Sequence, residues 1–107
     1  MIYKQQWGPA RHAANAAFIA IQAAKSNINK SANVAFAKSQ VDYLKGGNPQ
    51  NQCFIVGYSS NCPTKPHHRS SSCPATGDCT WDQYNSPNAN PMILYGALGK
   101  YSHNEYE

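Results

Sequence analysis

Charge is what this 107-residue chain has least of: charged residues make up 13% of it, about half the usual share. Together with seven Tyr, two Trp and seven Pro, that scarcity argues against a disordered tail, a coiled coil or a polar linker. Long apolar runs are missing too. The longest, residues 13–24, is interrupted by Asn15 and Gln22 and falls short of a membrane span. Basic clusters are absent: nine Lys and Arg exceed five Asp and Glu to give a net charge of +4, yet they are scattered from Lys4 to Lys100. No stripe forms that could track phosphates, which argues against a nucleic-acid partner. Residues 1–7 hold no basic stretch followed by an apolar core, so no secretion signal is visible there. There is no internal repeat. Met1 is followed almost at once by what reads as the inside of a structured element, a first hint that the chain is cut from something longer.

What is present divides into two halves. Residues 7–44 are rich in Ala and poor in Gly. Pro9 suits the first turn of a helix, and residues 11–25 continue in the best helix former, ending on Lys25, which complements the C-terminal dipole. A helix with small apolar residues on most faces packs inside a larger protein. Residues 26–30 make a polar turn, Ser31 is the expected N-cap of a second helix, and Val34, Ala37, Val41 and Leu44 fall on one helical face. Gly46-Gly47-Asn48-Pro49 ends it, glycine being free to take a left-handed cap. The expectation is an antiparallel helical hairpin over about 8–45.

Beyond Asn48 the character changes. All four cysteines and every proline except Pro9 lie there, and the apolar islands 54–58 and 92–95 are too short to settle helix against strand. Long ordered loops of this kind build binding surfaces on a helical scaffold. Two helices cannot bury so much apolar surface alone.

The densest polar cluster is Pro66-His67-His68-Arg69-Ser70-Ser71-Ser72-Cys73-Pro74. Arginine offers a fixed fork of donors, and histidine donates or accepts at either nitrogen, so the cluster suits the gripping of hydroxyls. The bland alternative is a surface loop with solvated histidines. Cys62, His67, His68 and Cys73 could supply four zinc ligands, but their spacing matches none of the usual paired knuckles, and no metal or cofactor is expected. Cys73 and Cys79 are the best candidates for a disulfide; Cys53 and Cys62 could pair or stay free and buried. Trp7, Tyr58, Trp81, Tyr84 and Tyr95 complete the signal, because sugar rings present apolar faces to aromatics and hydroxyls to polar groups around the edge. Each aromatic taken alone is more often core than platform.

The stretch from Cys53-Phe54-Ile55-Val56-Gly57-Tyr58 through Pro66-His67-His68-Arg69 to Cys73-Pro74 resembles the histidine signature of glycoside hydrolase family 9, the cellulase (endo-β-1,4-glucanase) family. Its surroundings agree in order: Gln6-Trp7-Gly8 with residues 11–17 before it, residues 41–49 at the helix end, and residues 82–91 and 94–98 after it. The resemblance implies an all-α fold, part of an (α/α)6 barrel in which a helical hairpin is followed by an active-site loop region at about 48–107. It implies hydrolysis of β-1,4-glucan with inversion by a secreted, monomeric enzyme, no membrane being involved. By the resemblance His67 is the active-site histidine, Arg69 its partner in holding sugar, and Trp7 a stacking residue of the cleft. Ser59 stands where the signature prefers glycine, and Gly47 where many members carry aspartate.

Inversion needs one acid and one base carboxyl about 6.5–9.5 Å apart. The family's base lies in an N-terminal aspartate motif with no counterpart here. Its acid lies in a second signature, of which Tyr106-Glu107 would be the first two positions; neither Glu105 nor Glu107 occupies the acid's place. These residues are therefore expected to form one wall of the cleft and, alone, not to hydrolyse cellulose. The competing expectations are a binding-only remnant that still holds glucan through His67 and Arg69, and, ranked last, a zinc module.

Overall fold

The computed structural model describes residues 1–4 and 8–99. Helix α1 (Pro9–Lys25) and helix α2 (Lys30–Leu44) form the expected hairpin. Pro9 occupies the first turn of α1, where a missing N–H costs nothing. The exit from α1 is a Schellman turn: Asn27, left-handed at φ 59°, donates to the Ala24 carbonyl, and Ile28 donates to that of Ala23. A second left-handed residue, Asn29 at φ 38°, opens α2 directly. These two asparagines reverse the chain within four residues, so α2 begins before Ser31. The expected Ser31 cap is replaced by Asn29, whose side chain makes no capping bond. The Asn33 side chain instead donates to the Ile28 carbonyl at 2.8 Å.

Alanine makes the helix–helix seam. Ala10, Ala13, Ala17, Ala20 and Ala24 of α1 are buried, and their short side chains let the two backbones approach. Ala17 and Ala20 meet Ala37, with Ile21 and Phe36 alongside. At the other end Ala10 meets Leu44 and Phe54, which fixes the antiparallel sense. The buried face of α2 is Ala37, Gln40 and Leu44. Val34 and Val41, expected on that face, are exposed. The seam is built from small residues, so the bulky β-branched pair lies at its margin, while Phe18 and Ile19 of α1 point outward.

A second Schellman turn ends α2: Gly46, at φ 117°, donates to Tyr43, and Gly47 donates to Asp42. Asn48 then ties the helix end to the loops, its Nδ2 donating to the carbonyls of Tyr43 and Gln52 at 2.8 and 2.7 Å. The Phe54 N–H donates to the Leu44 carbonyl at 2.8 Å, seating the loop region on the end of the hairpin. Both apolar islands prove to be loops. Residues 54–56 pair instead with 96–99, through one antiparallel bridge between Ile55 and Leu98.

Two disulfides, Cys53–Cys62 and Cys73–Cys79, brace this region. They leave no cysteine free, which removes the thiolates of the zinc alternative. Two short helices follow among the described residues, α3 (Arg69–Ser72) and α4 (Trp81–Asn85).

Candidate functional site

The loop between Cys62 and α3 carries the polar cluster, and the structure divides its two histidines between tasks. His68 is the N-cap of α3, its Nδ1 accepting from the Ser71 N–H at 3.3 Å, which answers one of the donors a helix start leaves unpaired. It is a structural cap. His67, one residue earlier, is exposed and its ring meets Tyr84 edge-on, centroids 5.5 Å apart. Tyr84 in turn meets Trp81 edge-on, also at 5.5 Å. Of the described aromatics singled out in the sequence, Tyr84 meets the histidine and Trp81 meets Tyr84. Tyr58 lies under the Lys45 ammonium, 5.5 Å from its ring centroid, and Tyr95 lies over Gly57 so closely that its ring leaves no room for a Cβ there.

The Trp81–Tyr84 pair is held by local chemistry. Thr80 and Gln83 form a capping box at the start of α4, and the Cys73–Cys79 bridge joins the end of α3 to the approach to α4. Arg69 begins α3 and is exposed. Among the described residues its guanidinium makes no hydrogen bond or ion pair, so its fork of donors faces outward. Trp7, Glu105, Tyr106 and Glu107 lie outside the described residues.

Beneath the loop lies a polar anchor that the sequence reading missed. Asn90 is 6% exposed; its N–H donates to the Thr64 carbonyl at 3.0 Å, and its Nδ2 donates to the Pro66 carbonyl at 2.9 Å and to Ser71 Oγ at 3.1 Å. Ser71, also buried, donates from Oγ to the Met92 carbonyl at 2.5 Å, and the Met92 N–H returns a bond to the Ser71 carbonyl at 3.1 Å. Ser59, the departure from the resembled signature, has no left-handed backbone. Its N–H donates to Cys62 Sγ at 3.0 Å, so a serine is accommodated without strain.

Chemically the described residues of the site offer an imidazole edge, a guanidinium and an indole face, that is, donors and an apolar surface. Asp42 is engaged with Lys38 on α2, and Asp82 sits in the first turn of α4, where the helix dipole favours it. Donors beside an aromatic surface suit a hydroxyl-rich ring.

The chain is similar to known proteins. The family model for glycosyl hydrolase family 9 matches residues 1–100. An endoglucanase of Dictyostelium discoideum is 42% identical over 104 residues, covering 95% of this chain and 13% of that protein. The structure of an endoglucanase from the termite Nasutitermes takasagoensis superposes with a TM-score of 0.83 at 45% identity, over 100% of this chain and 25% of its own. The endoglucanase CelQ of Clostridium thermocellum, complexed with cellotetraose, superposes with a TM-score of 0.76 at 35% identity, over 98% of this chain and 18% of its own. The chain thus spans a quarter or less of the length of these relatives.

Proposed function

The chain belongs to glycosyl hydrolase family 9, and on that premise we propose that the protein is an endo-β-1,4-glucanase in which these residues form one wall of the substrate cleft. The hairpin is then one piece of the (α/α)6 barrel, and residues 1–107 are one part of a single catalytic domain. The observation that carries the reading is the His67–Arg69 loop: an exposed imidazole against Tyr84 and an outward guanidinium, in a chain that superposes on an endoglucanase holding cellotetraose.

In this reading His67 and Arg69 donate to glucan hydroxyls, and Trp7 supplies a stacking surface. Their contribution is placement. A sugar ring held in register against the acid and the base turns an encounter into a reaction of fixed geometry. The two carboxyls that invert the anomeric carbon, one protonating the leaving oxygen and one activating water, are assigned to other parts of the barrel. We place the enzyme outside the cell, as a monomer. Two disulfides in so short a stretch support an oxidising compartment.

The test is made on the full chain encoded by the gene. His67→Ala and Arg69→Lys are each expected to lower kcat/KM on cellopentaose about 10-fold or more, the lysine failing because a point charge does not reproduce the planar fork. Wild-type kinetics in both variants would sink the assignment.

A further inference from the structure

His67 and Arg69 are exposed, so the packing that immobilises a core side chain does not immobilise them. Whatever holds their geometry must act through the backbone beneath. That backbone is gripped from residues 90–92. Asn90 binds the chain at Thr64 and at Pro66, the residue immediately before His67, and reaches Ser71, two residues after Arg69. A single buried side chain therefore spans both flanks of the pair.

The chemistry requires an amide. Nδ2 carries two protons and uses one on the Pro66 carbonyl and the other on Ser71 Oγ. An aspartate in its place offers only acceptors and would face the Pro66 carbonyl with a like charge. An alanine would strip buried acceptors of their partner. Ser71 passes the linkage on, donating to the Met92 carbonyl, so the loop and residues 90–92 are fastened at both ends.

We infer that Asn90 is a positioning residue for the His67–Arg69 pair, setting the geometry in which the two donors meet the glucan. The inference rests on the reading in which those two residues hold substrate. It differs from a general stabilising role in one respect: a residue that works only through the pair has no effect on catalysis once the pair is gone.

The experiment is a double-mutant cycle on the full chain encoded by the gene, at a temperature below every variant's melting transition. kcat and KM on cellopentaose are measured for Asn90→Ala and Asn90→Asp, alone and combined with His67→Ala plus Arg69→Ala. Alone, each is expected to lower kcat/KM about 10- to 100-fold. In the background lacking both donors the same change is expected to cost less than about twofold. Asn90→Asp, close to isosteric, carries the test if the alanine variant does not fold. Ser71→Ala removes one bond and leaves the others; it is expected to show the same pattern at about 3- to 10-fold and carries the test if neither Asn90 variant folds. Equal losses in both backgrounds would overturn the inference, as would unchanged kinetics on replacing Asn90 while His67→Ala is impaired. If His67→Ala and Arg69→Ala themselves leave kcat/KM unchanged, the reading of the site fails and the inference falls with it.

Discussion

Among the described residues Phe54 is the largest fully buried side chain. It is 1% exposed, packs with Ala10 and Leu44, and its N–H donates to the Leu44 carbonyl at the end of α2. Phe54→Ala is expected to destabilise the folded protein by about 3–5 kcal/mol, read as a lowered urea midpoint. That is a large share of the roughly 5–15 kcal/mol by which a domain is stable. At this scale legibility was uneven. His67 and Arg69 stood out because two histidines and an arginine between prolines are rare and chemically loaded. His68 did not announce its different role, since a cap depends on where a four-residue helix begins. Asn90 was invisible: it lies in a run of Asn and Pro without periodicity, far along the chain from Pro66, and only folding makes them neighbours.

The α1–α2 hairpin shows what pattern can and cannot give at the scale of an element. Alanine content, Pro9 and the paired glycines after Leu44 were sufficient to draw both helices, because propensity and capping are local. The 34-37-41-44 spacing gave a face of which Ala37 and Leu44 are buried and Val34 and Val41 are not; the face that packs is the adjacent 37-40-44 one. Periodicity ranks faces by hydrophobicity, and this seam is selected by size. Gln40 enters it because its Oε1 accepts the Ile2 N–H at 2.7 Å. A consequence follows for substitution. Ala17→Leu adds bulk where Ala17 meets Ala37, and it is expected to cost about 1–3 kcal/mol, measured by thermal melting. Val34→Leu, at the exposed margin, is expected to stay within about 0.5 kcal/mol of wild type in the same measurement.

The described chain measures 52 × 27 × 25 Å, with a radius of gyration of 16.2 Å, against about 13 Å for a compact domain of this length. Hairpin and loop region lie end to end and share the contact of Ala10, Leu44 and Phe54. Much of the order beyond Asn48 therefore depends on covalent bridges and on hydrogen bonds such as those of Asn48 and Asn90. Replacing Cys53 and Cys62 by serine is expected to lower stability by about 2–4 kcal/mol, again read from the urea midpoint. Opening Cys73–Cys79 acts on the approach to α4, so it should loosen Trp81 and Tyr84 more than the hairpin, seen as a drop in near-ultraviolet circular dichroism with far-ultraviolet signal retained. The sequence offered these pairings only as options, since four cysteines allow three connectivities and spacing alone does not choose among them.

Both bridges join cysteines that are neighbours in the sequence, with separations of 9 and 6, and neither encloses the other. Every alternative pairing would tie the first couple to the second across a longer loop, which costs more entropy to close. In a chain that emerges from its amino end, Cys53 meets Cys62 before Cys73 has appeared. In an oxidising compartment that receives the chain as it is made, the native partner is therefore the first one met.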